Sequence, residues 1–415
     1  MLRMKTGLWL LIVCFLVKYS SLQAQERKGY FFDASGISKE VMENYLSRSV
    51  TMAEFLEIDP YANDGPYPYK GDDVRLIKNI GAKFIGRSIY RWGTESVLNN
   101  AAYLDNARQL IREIHLYDKD VVFQAALFEI VTLQVNDIKI PDWAYKAMGI
   151  PKESRNFDYN RMLNRDSIFV NQWGKGASVP DISQPESQLW FIFLAGTYMD
   201  LGCEAMHLGQ TSLMGMADPY FLHWESLIAK LRAYAVKNAR RGWILLDAHT
   251  PHGGMVVNGK SLLDFNTFPL RIKEIPEQPQ MCILEKGYLD ALYGRSIGCV
   301  TPSGWSCPSL PYLVEFDNFG CSKTPGKSTI NNHFVWGYDE ITWFYLQSEQ
   351  YRNEWLIYAY NWIKETDPNG YLQMPVSRII SLCNRQFGKR FRGNTRSSDM
   401  PEGLNIENTI KRLWK

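Results

Sequence analysis

Residues 312–320 read YLVEFDNFG, an apolar run that delivers Glu315 and Asp317, with Asn318 and Gly320 just beyond. Paired carboxyl groups suit proton transfer. One, held in an apolar or like-charge setting so that its pKa rises, serves as an acid, while a neighbour kept ionised by donors attacks or activates water. Leu313, Val314 and Phe316 surround Glu315 in the chain and make it the better placed of the two for an upward shift. Asp317 is then a second catalytic candidate, and with Asn318 a ligand for hydroxyl groups. The bland alternative is a pair of solvated carboxylates at a loop entrance, so the elements that carry them have to be found.

Along the chain, short apolar strands alternate with amphipathic helices. GYFFDAS (29–35), KFIGRSI (83–89), DVVFQAALF (120–128), EAMHLG (204–209), WILLDAH (243–249), SLLDF (261–265), YLVEF (312–316) and GYLQMPV (370–376) read as eight strands. They are apolar nearly throughout, as parallel strands covered on both faces are. Pro185 opens a helix that stops at Gly202, Asp218 and Pro219 open another that stops at Gly242, and a third runs from Asp339 to about Thr366 before DPNG. Eight strands with helical crossovers predict an α/β fold, a (β/α)8 TIM-type barrel with long βα loop insertions. Residues 130–183 and 266–311 are the two insertions, long enough to form walls or a lid.

In such a barrel, chemistry belongs at the carboxyl ends of the strands. Those positions are polar along seven strands. Asp33 follows the first, Arg87 lies in the second, Gln124 and Glu129 are at the third, and His207 and Gln210 at the fourth. Asp247 and His249 are at the fifth, Asn266 follows the sixth, and Glu315, Asp317 and Asn318 are at the seventh. Glu315, Asp247, Glu129 and Asp317 are the catalytic candidates; Asp33, Arg87, Gln124, His207, Gln210, His249, Asn266 and Asn318 are candidates for holding substrate. Glu204 directly follows Gly202 and Cys203 and so belongs to the strand's entrance. Trp305 and Trp336, with Trp143 and Trp173, fall in or near loops, where an indole can stack on a sugar or pack the loop.

The ends of the chain and its composition bound the setting. Met1–Ala24 has Arg3 and Lys5, the run GLWLLIVCFLV, and Leu22 and Ala24 before Gln25, which describes a signal peptide and a secreted or periplasmic product. The barrel is expected over 25–380, with 381–415 as a basic extension packed on it or trailing it; in that extension RQFGKRFRGNTRSS reads as a solvated tail. Net charge is +2, which gives no global field for nucleic acid. No later run reaches the roughly 18 apolar residues of a membrane span. Cys282, Cys299, Cys307 and Cys321 are close enough in sequence for disulfides in any of three pairings, and no paired-His or CxxC spacing favours a metal. No cofactor is expected, since neither a P-loop nor a dinucleotide fingerprint occurs.

Several carboxylates, six histidines and a 13% aromatic share in an exported barrel suit cleavage of a glycosidic bond. That reaction needs two carboxyl groups, about 5 to 5.5 Å apart for retention or roughly 6.5 to 9.5 Å for inversion, and no metal. In architecture the chain resembles the clan of barrel glycoside hydrolases with a Glu nucleophile ending strand seven and an acid/base Glu ending strand four. Glu315 suits the first position. The second departs, because HLGQ offers His207 and Gln210 with no Asn-Glu pair, and the acid is sought in Asp247 or Glu129. Carbohydrate is the partner this implies. A barrel that binds glycans without cleaving them is the alternative, and an esterase using Asp247 and His249 lacks a GxSxG elbow.

Overall fold

The computed structural model describes residues 29–57, 68–328, 330–383 and 389–415. The expected signal peptide lies outside them. The chain is a mixed α/β protein built on a curled, parallel-rich sheet of ten strands. In chain order these are β1 (Ser49–Met52), β2 (Phe84–Ile89), β3 (Val122–Ala126), β4 (Ala205–Gln210), β5 (Leu245–His249), β6 (Asn266–Pro269), β7 (Tyr312–Glu315), β8 (Gly370–Leu372), β9 (Met374–Ile379) and β10 (Arg390–Arg392). Their hydrogen-bonded order is β8-β7-β6-β5-β4-β3-β2-β1-β9-β10. Every neighbouring pair from β8 to β9 is parallel, and β10 alone runs antiparallel, against β9. Only Gln373 separates β8 from β9, and its N–H donates to Val314 O at 2.8 Å.

Helices cross between the early strands: Lys70–Ile80 after β1, Ala101–Tyr117 after β2, Pro185–Leu201 before β4 and Leu222–Asn238 before β5. Their ends follow the sequence cues. Pro185 occupies the first turn and Gly202, at φ 114°, closes the same helix in a backbone conformation that side chains resist. Asp218 does cap the next helix, its carboxylate accepting from His223 N and Trp224 N, although helical geometry begins only at Leu222. The helix expected from Asp339 to Thr366 is two, Glu340–Leu346 and Glu349–Thr366, capped by Asp339 and Ser348. Among the described residues no α-helix joins β5 to β6 or β6 to β7; short antiparallel strands occupy those connections instead.

Three expectations change. GYFFDAS is not a strand. Phe32 joins Ile37, Tyr45 and Leu46 in a cluster with Phe84, Val122, Ala205 and Leu245, the first residues of β2 to β5, and so plugs the amino end of the sheet. The first strand is the more polar SVTM, because it is this segment that pairs with both β2 and β9. SLLDF also fails as a strand of this sheet, Ser261 alone belonging to a short strand outside it. Asp264 there accepts from Leu246 N and Arg232, and pairing with β7 starts at Asn266. The basic C-terminal stretch is not a solvated tail where it is described: Arg390 and Arg392 are buried in β10, paired with Glu54 and Glu402, and the helix Glu407–Leu413 anchors to Lys70–Ile80 through Glu407 and Arg75.

The cysteines pair differently as well. Cys321 bonds to Cys383, outside the expected group, while Cys282, Cys299 and Cys307 are buried thiols. The disulfide ties the segment after Asn318 to the segment after β9. Among the described residues no helix is long and apolar enough to cross a membrane.

The plug makes a testable demand on stability. Phe32 is 2% exposed, so Phe32→Ala should cost about 3–5 kcal/mol through lost burial and an unfilled cavity. Asp33→Ala, at a half-buried neighbour whose carboxylate is bonded by Ser35 alone among the described side chains, should change stability by no more than about 0.5 kcal/mol. Chemical denaturation of both variants measures this, and equal small losses would show that the segment does not seal the amino end of the sheet.

Candidate functional site

The parallel strands bring their carboxyl ends to one side, and Glu315 is the last residue of β7. It is completely buried. Arg87 of β2 holds it with two guanidinium hydrogen bonds, one of them 2.9 Å from Nε to Oε2. Arg378 of β9 donates from Nη1 to Oε2 at 2.8 Å, and His249 Nε2, at the end of β5, lies 2.8 Å from Oε1. Burial pushes the Glu315 pKa up, but Arg87 and Arg378 outweigh it and hold the carboxyl well below its usual range. The expected upward tuning is therefore reversed. The local apolar run concealed two cations brought in from strands far away in sequence.

Asp247 lies next to this group. Its Oδ1 accepts from Gln124 Nε2 at 2.5 Å, and its Oδ2 contacts Thr267 Oγ1 at 2.6 Å and His207 Nδ1 at 2.7 Å. Gln124 also accepts the Arg87 backbone N–H at 3.0 Å, which joins the two carboxylate sites through one amide. Burial is the main cause that raises the Asp247 pKa to about 7, against the hydrogen bond from Thr267 and the Arg87 charge. Burial also keeps the His207 imidazole neutral, helped by Arg87 and His249. His207 Nδ1 is thus held against Asp247 Oδ2, and His207 Nε2 has no partner among the described residues.

Glu129 forms a third station. Its carboxylate accepts from Gln210 N at 3.0 Å and Gln210 Nε2 at 2.7 Å. Gly209 makes this approach feasible. It sits at φ 58°, and a Cβ there would stand 2.3 Å from Glu129 Oε2. Arg87 has a comparable backbone, φ 56° in a non-glycine residue, where β2 slips register against β3. That left-handed turn within a strand is a local cost that the buried ion pairs offset.

Above these buried groups opens a cleft of about 980 Å³. Gln210, His249, Thr267 and Asp317 line it, and each touches the machinery below: Gln210 bonds Glu129, His249 bonds Glu315, Thr267 bonds Asp247, and Asp317 accepts from Arg378 at 3.0 Å. Asp317 is the catalytic candidate whose carboxylate, 19% exposed, reaches the opening. Glu315, Asp247 and Glu129 stand one hydrogen bond behind its surface. Asn318 faces Arg378, its Oδ1 accepting at 2.8 Å from Nη2.

Four candidates are elsewhere. The Asp33 carboxylate is bonded by its neighbour Ser35, and the residue lies beside the amino-end plug. Trp305 fastens that plug, its indole donating to Ile37 O at 2.9 Å. Trp336 is buried in the core, its backbone N–H held by Glu274. Asn266 is buried at the start of β6 and donates to Gly253 O and Ser296 Oγ, each at 3.0 Å. Glu204 occupies the strand entrance as read, paired with Arg240 and Arg241.

The sequence reading missed residues as central as those it found. Arg378 could have been located by carrying the eighth strand past Val376 to Ile379. Glu340, fully buried at a helix start, accepts from Asp317 N at 2.9 Å and Arg271 N at 2.6 Å and so sets both residues at the cleft. Trp92, 44% exposed, packs edge-on against Phe128 and Trp173 and offers the aromatic face expected of other tryptophans.

No family model matches the chain, and no curated protein matches it. Among solved structures, it is similar to a debranching enzyme from Nostoc punctiforme in an acarbose-soaked form, with 12% identity, a TM-score of 0.43, and coverage of 89% of this chain and 81% of that one. A second crystal structure of that enzyme aligns at 10% identity and a TM-score of 0.31 over 54% of this chain, which spans about half, 52%, of the other's length. An α-galactosidase from Thermus thermophilus aligns at 15% identity and a TM-score of 0.31, over 58% of this chain and 48% of that chain.

Breaking the central ion cluster should be costly. Glu315→Gln leaves Arg87 and Arg378 buried with too little negative charge, and a loss of about 3–5 kcal/mol is expected. Because the folded pKa of Glu315 lies below its unfolded value of about 4.3, its stabilisation is present above that pH and fades as pH falls. Wild type should lose stability on acidification more steeply than Glu315→Gln. Parallel stability curves for the two proteins between pH 7 and pH 3 would contradict the ion-pair account.

Proposed function

We propose that β1 to β7, with β8 and β9 as two halves of one closing strand, form a (β/α)8-type barrel, and that the cleft at its carboxyl end hydrolyses a glycosidic bond in an oligosaccharide or polysaccharide. Supporting closure, β8 pairs with β7 and β9 with β1, both in parallel, across a single intervening residue. The observation that carries the chemistry is a cleft lined both by the carboxylate of Asp317 and by Thr267, a hydroxyl seated 2.6 Å from the protonatable Asp247. In this reading Asp317 faces the anomeric carbon, as nucleophile or as base toward water. Asp247 is the proton source for the leaving oxygen, passing it through Thr267 Oγ1, with His207 fixing the orientation of Asp247. Glu315 is a positioning residue that fastens Arg87, Arg378 and His249, and Glu129 fastens Gln210. Export is part of the proposal, resting on Met1–Ala24 and in keeping with the Cys321–Cys383 bond.

One observation favours glycan binding without cleavage: Glu315, Asp247 and Glu129 are all buried and already hydrogen-bonded. The two readings part in an assay of sugar release from a panel of plant, host and microbial glycans. Hydrolysis requires that Asp317→Asn abolish release while binding persists. Asp247→Asn should lower kcat by about 10²–10⁴-fold, the range of a lost general acid. Since Asp247 must be protonated to act and its pKa is raised to about 7, wild-type kcat should fall as pH rises through that value, and the residual activity of Asp247→Asn should lack the fall. Binding with no release from any glycan supports the non-hydrolytic reading; unchanged release by both variants removes the catalytic assignments.

A further inference from the structure

The cleft is richer in basic side chains than cleavage of a neutral sugar requires. Three of the six histidines, His249, His252 and His333, line it together with Arg271 and Arg295. Two carboxylates also line it, and both are engaged. Asp317 is paired with Arg378. Asp290 is bonded by Arg271 and lies 3.4 Å from His333 Nε2, and these two neighbours hold its carboxyl below the usual range despite partial burial. Arg271 is matched in turn by Asp290 and, at 3.6 Å, by the buried Glu340.

Arg295 is different. It is exposed at the cleft, and among the described residues no carboxylate pairs with its guanidinium. The guanidinium lies over Gly287, where even a Cβ would stand 3.3 Å from Nη2, so no side chain covers it from that side. His252, also exposed, lines the same cleft and is likewise without a carboxylate partner among the described residues. An uncovered guanidinium offers a planar fork of donors that fits a carboxylate or a sulfate in bidentate fashion, and it does so without having to break an existing ion pair.

We infer that the cleft selects glycans bearing an anionic substituent, a ring carboxylate or a sulfate ester, with Arg295 as the residue that recognises the charge and His252 beside it. The inference rests on the carbohydrate reading above and narrows its substrate class. It places the anion on the β6–β7 connection, which carries none of the catalytic candidates, so the charge serves to position the chain and takes no part in bond cleavage.

The test is calorimetric titration of the full-length protein with three oligosaccharide sets of equal length: oligogalacturonate, its carboxyl-reduced neutral counterpart, and a sulfated galactan fragment. Wild type should bind one of the anionic sets at least about tenfold more tightly than the neutral one, in line with a charge-assisted hydrogen-bond pair, and added salt should weaken that preference. Arg295→Gln should remove the preference and leave neutral affinity unchanged, while Arg295→Lys, which keeps the charge without the fork, should retain part of it. Carboxylate and sulfate are distinguished by which set gains. Equal affinity for neutral and anionic sets, or a preference that survives Arg295→Gln, overturns the inference and leaves the carbohydrate reading standing. Failure of all three sets to bind, together with no binding across the wider glycan panel, overturns both.

Discussion

A carboxylate buried between two guanidiniums sets the terms for the rest of this molecule. Glu315 has no exposure to water, and Arg87 and Arg378 reach it from strands that are neighbours of neither it nor its loop in sequence. Stripping water from three charges costs several kcal/mol for each, so the arrangement persists only if geometry and further hydrogen bonds compensate. The compensation is visible. His249 takes one oxygen of Glu315, Arg378 reaches on to Asp317 and Asn318, and Gln124 holds the Arg87 backbone in its left-handed turn. The ion cluster thereby ties β2, β5, β7 and β9 together at one end of the sheet.

The same economy explains why most carboxylates lie beneath the cleft and not in it. A carboxylate that must hold its neighbours still cannot also swing toward a ligand. Glu315, Asp247 and Glu129 each spend their oxygens on groups that do reach the opening: His249, Thr267 and Gln210. Asp317, paired with Arg378, is the one that faces it, and its own backbone is fastened by Glu340. A floor of fixed acids beneath Thr267, Gln210 and His249 gives a site that is preorganised, with little left to rearrange when a polar ligand enters.

The opposite end of the sheet is built for stability. Phe32, Tyr45 and Leu46 fill the space inside the strand starts, and Trp305 and Ser303 clamp Ile37 from the β6–β7 connection. Asp33 and Trp305 therefore belong to a seal. The division of labour, packing at the amino ends and polar convergence at the carboxyl ends, holds even where the fifth and sixth crossovers lack helices.

Much of this was legible in residue order because local chemistry determined it. Apolar strand runs at 84–89, 122–126, 205–210, 245–249 and 312–315, the Pro185 and Gly202 limits of one helix, and the polar groups at strand ends all follow from short-range pattern, since side-chain period and capping act over a few residues. Asp247, His207, Gln124, Gln210 and His249 could be gathered on that basis alone. What tertiary structure decided was anything set by partners distant in the chain. GYFFDAS and SVTM differ too little locally to say which would pair with Met374–Ile379, and only closure against that strand selected the second. The apolar flanks of Glu315 suggested a raised pKa, and its actual ionised state comes from Arg87, 228 residues away, and Arg378, 63 residues away. Charge acts through space, over a few ångströms of low dielectric, and the sequence does not record which cations will occupy that space.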